Sequence, residues 1–247
     1  MLAIVGGSGL DKLGELKDVR QVTVATPYGD PAGPLEIGML GHHEVVFLAR
    51  HGAQHSLPPH QINYRANLWA LHAQQVREVV AIATVGGIGS DFPPGTLVVP
   101  DQIIDYTWGR AATFFDGGAN DVRHVDFTNP YDESLRQRIV CAAAAVGEVV
   151  HEGGTYGVTQ GPRLETAAEI RRMARDGAHL IGMTGMPEAA LARELDMRYA
   201  TLAVVVNAAA GTGTSVHTID LAAAQALAHA AMQRVVRILM KVAANGD

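Results

Sequence analysis

Ile4-Val5-Gly6-Gly7-Ser8-Gly9-Leu10 is an apolar, β-branched run that breaks abruptly into glycines and a serine. A strand that ends this way presents free backbone N–H groups and a hydroxyl beyond its C-terminal end, an arrangement suited to a phosphate. It is neither of the common nucleotide turns. A dinucleotide fingerprint would need a glycine where Lys12 stands, and a P-loop would need a Gly-Lys pair, which the chain lacks. Read alone, the same residues serve equally well as a tight strand-to-loop connection.

Outward from this turn, short apolar runs recur at Val22–Ala25, Val45–Leu48, Val79–Val85, Thr96–Val99, Thr155–Val158 and Tyr199–Val206, and most are bounded by turn residues. Helical spacing lies between several of them, over Arg65–Val76, Asp132–Val146 with Asp132 as N-cap, Glu165–Asp176, Pro187–Leu195 and Leu221–Ala244. The alternation predicts an α/β layered sheet. Residues 110–129 lack periodicity and read as a long loop, a feature that in compact domains is often functional.

The 247 residues fit one α/β domain spanning 1–247. Hydrophobic residues make up 48% and charged residues 18%, enough for a packed core. A net charge of −6 gives no electrostatic reason to coat nucleic acid or an anionic membrane, so an anionic ligand must be held by local donors. Cys141 is the only cysteine, which rules out an intrachain disulfide and a thiolate metal cluster. Met1-Leu2-Ala3-Ile4-Val5 has no charged leader region and no apolar run is long enough to span a bilayer, so a cytoplasmic protein is expected.

Those donors are expected in Leu48-Ala49-Arg50-His51-Gly52-Ala53-Gln54-His55-Ser56. Arg50 offers a planar fork for an oxyanion, and His51 is expected to donate beside it. Both follow a strand, where α/β sheets bind ligands, and His55 is placed to line the same cavity. Solvated surface groups are the plainer alternative. The spacing of His42-His43, His51, His55 and His60 also admits a metal, but without cysteine or an HExxH pattern none is expected.

Arg50-His51-Gly52 with Gln54-His55, Ile62-Asn63-Tyr64-Arg65-Ala66-Asn67-Leu68-Trp69-Ala70-Leu71, Gly161-Pro162-Arg163 with Glu165-Thr166, and Gly182-Met183-Thr184 with Met186-Pro187-Glu188-Ala189 occur in that order, after the opening Gly6–Asp11. Together they resemble the 5′-methylthioadenosine phosphorylases, in the trimeric branch of the purine nucleoside phosphorylases. The resemblance implies a mixed, twisted, partly barrel-like sheet flanked by helices, a homotrimer, and a reaction of purine nucleoside with inorganic phosphate that needs no metal or organic cofactor. It implies a phosphate site at Ser8, Arg50, His51, Ala83, Thr84 and Thr184. Relatives often carry threonine where Ala83 stands, so one hydroxyl is missing and Thr84 is its nearest replacement. The ribose is implied near Met183, whose flexible apolar side chain suits a sugar face.

The same resemblance assigns the base to Asn207, Ala208, Ala209, Glu165 and Leu164, with Asn207, Glu165 and His51 as the catalytic set. The methylthioadenosine enzymes resemble Thr-Asp-Tyr-Asp where this chain reads Asn207-Ala208-Ala209. An ionised carboxylate only accepts and repels an oxygen at purine C6, whereas an amide can donate to O6 or N7. Glu165 can accept the N1 hydrogen that hypoxanthine has and adenine lacks. Leu164 replaces an aromatic found in relatives, which weakens stacking on the base. Around Thr218-Ile219-Asp220-Leu221 an apolar lining at Ile219 favours a methylthio over a 5′-hydroxyl. The implied reaction is phosphorolysis of a 6-oxopurine nucleoside, S-methyl-5′-thioinosine first. The alternatives are a methylthioadenosine phosphorylase, a general inosine or guanosine phosphorylase, a hydrolytic nucleosidase and a non-catalytic nucleoside sensor.

Overall fold

Alternation along Leu2–Gly6 (β1) sends Leu2 and Ile4 to one face and Ala3 and Val5 to the other, and all four are buried. A strand buried on both faces belongs in the middle of a sheet covered by helices on each side. The computed structural model, which describes residues 1–117 and 121–246, has this architecture. Residues 118–120 of the expected loop and the last residue of the expected domain, Asp247, lie outside the described residues.

The other strands are β2 (Lys17–Val22), β3 (Leu35–Leu40), β4 (His43–Ala49), β5 (Glu78–Gly87), β6 (Leu97–Val99), β7 (Gln102–Asp105), β8 (Val150–Glu152), β9 (Thr155–Val158), β10 (Leu180–Gly182) and β11 (Arg198–Ala208). The helices are α1 (Tyr64–Ala73), α2 (Glu133–Ala145), α3 (Ala167–Arg175), α4 (Gly185–Glu194) and α5 (Leu221–Ala244). The strands form one mixed sheet in the order β2-β3-β4-β1-β5-β10-β9-β7, with a branch running from β5 through β11 and β6 to β8. Leu68 and Leu71 of α1 and Leu191 of α4 pack with Ala3 and Val5 on one face. Ile139 of α2 and Val235 and Leu239 of α5 pack with Leu2 and Ile4 on the other. Among the described residues no helix is long and apolar enough to cross a membrane.

Most expected elements are present, with one correction. The strand expected at Val22–Ala25 lies earlier, at Lys17–Val22; it is an exposed edge strand with four polar side chains among its six, so its pairing with β3 left no continuous apolar run. At the start of α1, Asn63 caps the helix by accepting from the Ala66 N–H, and Asn67 accepts the Ala32 N–H from a distant loop. Asp132 caps α2 as expected, accepting from the Leu135 N–H at 2.8 Å.

The pairing of β5 creates the gap that the site fills. β11 follows one edge of β5 over its whole length. On the other edge β1 pairs only as far as Val5 opposite Ala81, and β10 takes over at Gly86 and Gly87. Ile82–Val85 thus has no partner strand on that edge among the described residues, and a crevice opens where the sheet divides.

Candidate active site

The crevice widens into a cavity of about 990 Å³. Gly7 crosses its floor against β5. A Cβ there would lie 2.5 Å from the Ile82 carbonyl oxygen and 3.1 Å from Arg50 Nη1, so only glycine brings the turn this close. The end of β4 is tied to the same place, because the Arg50 N–H donates to the Gly6 carbonyl at 3.0 Å.

Arg50 is buried, and its position is over-determined. Nε and Nη2 donate to the two oxygens of Glu188 at 2.7 and 2.9 Å, and Nη1 donates to the Ile82 carbonyl at 3.0 Å. Burial alone would lower the guanidinium pKa; the Glu188 carboxylate more than offsets this and keeps the group charged. Three of its five N–H groups are engaged, so one on Nη1 and one on Nη2 remain for a ligand in the cavity that Arg50 lines.

His51 differs from the expectation. Its Nδ1 lies 2.8 Å from the Leu57 carbonyl, which can only accept, so Nδ1 carries the hydrogen. Burial, with Arg50 adding to it, pushes the ring pKa down to about 4. The ring is neutral at pH 7 and Nε2 is an acceptor, not the second donor read from the sequence. His55, at a positive φ of 52°, stacks on it with ring centroids 4.3 Å apart. His55 Nδ1 lies 2.9 Å from the Asp11 carboxylate, and its Nε2 is 3.4 Å from Ser8 Oγ, so the glycine turn and the Arg50 segment are linked by side chains.

The opposite wall is built by the ends of β9, β10 and β11. Glu165 precedes α3. Capping there is done by Thr166 and Glu169, each bonding the other's backbone N–H, so Glu165 is not the helix-start charge. Instead Thr159 Oγ1 donates to Glu165 Oε1 at 2.6 Å and holds the carboxylate toward the cavity that Glu165 lines. A bulge between Val205 and Asn207 shifts the register of β11 and brings Asn207 opposite Gly86. Asn207 Nδ2 donates to the Ala208 carbonyl at 2.7 Å, leaving one N–H and Oδ1. Thr184 stands at the N-cap of α4, but its side chain makes no capping bond. Met183 is pressed against Gly161, where a Cβ would lie 2.5 Å from its sulfur.

The cavity therefore brings together Ser8, Arg50, His51, His55, Ala83, Thr84, Leu164, Glu165, Met183, Thr184, Asn207, Ala209 and Ile219. Ala208 is the exception: it is buried off the cavity wall, because the residue after Asn207 on a strand points the other way, and its carbonyl orients Asn207 instead. Sequence reasoning passed over Glu188, Thr159 and Asp11, which hold other side chains in place, and Gln225 and His229 of α5, which line the cavity from a helix read only by its spacing. The segment resemblance already contained Glu188; its role was hidden because the partner lies 138 residues away. Among the described residues no cluster of three or more His, Cys, Asp or Glu side chains is placed to hold a metal ion.

Comparison with known proteins agrees with this arrangement. The chain is 56% identical over 212 residues to a protein of Xanthomonas campestris named "Probable S-methyl-5'-thioinosine phosphorylase", covering 86% of this chain and 85% of that one. It is 50% identical over 215 residues to the 6-oxopurine nucleoside phosphorylase of Pyrococcus furiosus, covering 85% and 80%. The methylthioadenosine phosphorylase of Schistosoma mansoni, solved with adenine, superposes with a TM-score of 0.93 at 30% identity, over 98% of this chain and 90% of that one. Residues 1–241 match the family model described as the phosphorylase superfamily, and the chain belongs to that family.

Proposed function

We propose that the protein cleaves the N-glycosidic bond of a 6-oxopurine nucleoside by phosphorolysis, with S-methyl-5′-thioinosine as substrate and hypoxanthine and 5-methylthioribose 1-phosphate as products. Asn207 carries this reading. With one N–H committed to Ala208, the amide still offers a donor and an acceptor to the base, and Glu165 stands ready to accept N1–H. The names of the bacterial and archaeal relatives point the same way.

Phosphate sits beneath C1′, held by the two unused N–H groups of Arg50, the glycine turn, Ser8 and Thr184, while His51 Nε2 accepts the hydrogen of hydrogen phosphate. The C1′–N9 bond breaks to leave a ribosyl cation that the phosphate anion stabilises and then captures. Asn207 donates to the purine as negative charge gathers there, and the proton that entered with hydrogen phosphate ends on the departing base. Catalysis is positioning plus electrostatics, with no covalent enzyme intermediate, metal or organic cofactor. Ile219 and Leu221 give the 5′ end of the cavity an apolar lining that suits methylthio.

The assembly in this reading is a cytoplasmic homotrimer, with the exposed Leu164 and Leu221 at the cavity rim covered by a neighbouring subunit. A solution mass three times the 26.1 kDa chain tests it. The reaction is tested by base release from methylthioinosine, inosine, methylthioadenosine and adenosine, with and without phosphate. Phosphate-dependent release, fastest from methylthioinosine, is expected. Free sugar without phosphate means a hydrolase, binding without turnover means a sensor, and a preference for methylthioadenosine removes the 6-oxopurine assignment.

A further inference from the structure

Arg110 lies in the irregular segment between β7 and α2, and its guanidinium is enclosed by carbonyl groups. Nη1 donates to the carbonyls of Met183 and Met186 at 2.8 and 2.5 Å. Nη2 donates to those of Gln160 and Thr159 at 2.9 and 3.2 Å, and Nε to the Gln160 side-chain oxygen at 3.2 Å. All five N–H groups are engaged, the Tyr64 hydroxyl stands 3.2 Å from Nη1, and the Tyr64 ring lies 5.4 Å from the guanidinium carbon. No carboxylate forms an ion pair with it among the described residues. A cation spending every donor on neutral carbonyls is not there for charge pairing.

The four carbonyls belong to two segments. One, from Thr159 to Glu165, carries the carboxylate assigned to the base. The other, from Met183 to Met186, carries the ribose and phosphate contacts Met183 and Thr184. Two other side chains reach across: the Thr159 hydroxyl meets the Gly182 carbonyl at 3.3 Å, and Met183 packs against Gly161. The guanidinium is itself anchored. Thr113 Oγ1 and the Phe114 N–H, just beyond it, donate to the two oxygens of Glu194 at the end of α4, both at 2.7 Å.

We propose that Arg110 is a positioning residue that cross-links the base-holding segment to the ribose- and phosphate-holding segment, and so fixes the distance between the two halves of the substrate site. Its role in catalysis rests on the phosphorolysis reading above, but the cross-link itself does not. Arg110 touches no reacting atom. Its contribution is the alignment of phosphate with C1′, and a misplacement of about 1 Å costs a reaction of this kind about 10²-fold.

The test uses Arg110→Met, which keeps the apolar stem and removes the donors, and Arg110→Lys, whose single ammonium cannot reach both segments. Amide hydrogen exchange is followed across residues 157–165 and 182–187, alongside kcat, both KM values and the fraction of folded protein. In Arg110→Met both segments lose protection together and kcat per folded molecule falls about 10²-fold, while the two KM values move less than kcat. Arg110→Lys loosens one segment more than the other, and it serves as the readable variant if Arg110→Met does not fold. Protection unchanged in either segment of a folded variant overturns the cross-link. A lower melting temperature with unchanged kcat per folded molecule reduces Arg110 to a structural residue. Loosened segments in a protein that phosphorolyses no purine nucleoside would leave the cross-link standing and remove the functional reading.

Discussion

Arg50 and Glu188, 138 residues apart in the chain, meet as a buried two-point pair at 2.7 and 2.9 Å, and the Tyr199 hydroxyl donates to the same carboxylate at 2.9 Å. The cation nearest the proposed phosphate seat is thus already neutralised from behind, and His51 beside it is uncharged at pH 7. The seat holds its ligand through aimed N–H groups more than through net positive charge, which fits a chain of net charge −6.

Glu188→Gln isolates the buried guanidinium. The new amide cannot accept from Nε, Nη2 and Tyr199 at once, because one of its two atoms is a donor. Removing one partner of a buried ion pair costs about 3–5 kcal/mol. Denaturant unfolding is expected to show that loss, together with a phosphate KM raised at least about tenfold as Arg50 shifts. Tyr199→Phe removes only one hydrogen bond and is expected to cost about 1 kcal/mol. Equal stability of the wild type and Glu188→Gln would show that the pair does not support the seat.

Gly7→Ala tests the close approach of the turn. The added carbon would meet the Ile82 carbonyl oxygen at 2.5 Å, so the turn must retreat from β5 and from Arg50. A cost of about 1–3 kcal/mol is expected, with phosphate affinity falling more than nucleoside affinity. Gly14→Ala, where nothing lies within 4 Å, is the control and is expected to leave both unchanged. Calorimetric titration with inorganic phosphate reads the difference; identical phosphate affinity in Gly7→Ala takes the turn out of the site.

The His51 ring has a directional pH signature. Its pKa falls from an ordinary 6.5 to about 4 on folding, mainly through burial. Between those values the unfolded chain binds a proton that the folded chain refuses, so stability declines as pH drops from about 6.5 to about 4 and levels off for this group below that. The contribution is on the order of 3 kcal/mol at most. His51→Gln should flatten that part of the stability curve, measured by urea unfolding at several pH values. An unchanged slope would mean that the ring is not held neutral.

The central strands were legible because burial on both faces forces continuous apolar runs such as Val79–Val85 and Tyr199–Val206. The three-residue strands β8 and β10 are too short to show a period, and β2 faces solvent, so neither length nor hydropathy marked its true limits. Most residues that line the cavity announced themselves through glycines, Arg50-His51 and the resemblance; Gln225 and His229 of α5 did not. Nor did those that hold the liners. Thr159 and Glu188 sit in ordinary strand and helix contexts, and their partners are set by tertiary packing. His51 shows the limit of reading by residue type, because the Leu57 carbonyl, and not the imidazole itself, decides which nitrogen carries the hydrogen.

Ile219 lines the proposed 5′ end of the cavity. Ile219→His places a polar donor there, so kcat/KM for inosine is expected to rise relative to methylthioinosine by about tenfold, the scale of one pocket contact. A ratio unmoved by the substitution would place the 5′ substituent elsewhere.

Asn207→Asp bears most directly on the base. Asn207 Nδ2 lies 2.7 Å from the Ala208 carbonyl, so a carboxylate in the same pose would set two oxygens against each other. The aspartate must turn away from Ala208, and once turned it presents only acceptors to the base. A 6-amino group donates to such an atom and a 6-oxo group is repelled by it. The ratio of kcat/KM for methylthioinosine over methylthioadenosine is therefore expected to fall by about 10²-fold or more, with much of the change in loss of the 6-oxopurine activity. Asn207→Ala separates the two causes. It removes the donor without adding the repulsion, and is expected to lower methylthioinosine turnover while gaining nothing for methylthioadenosine. If Asn207→Asp leaves the ratio where the wild type has it, the amide is not what reads the purine, and the choice of substrate lies with Glu165 and the loop that carries it.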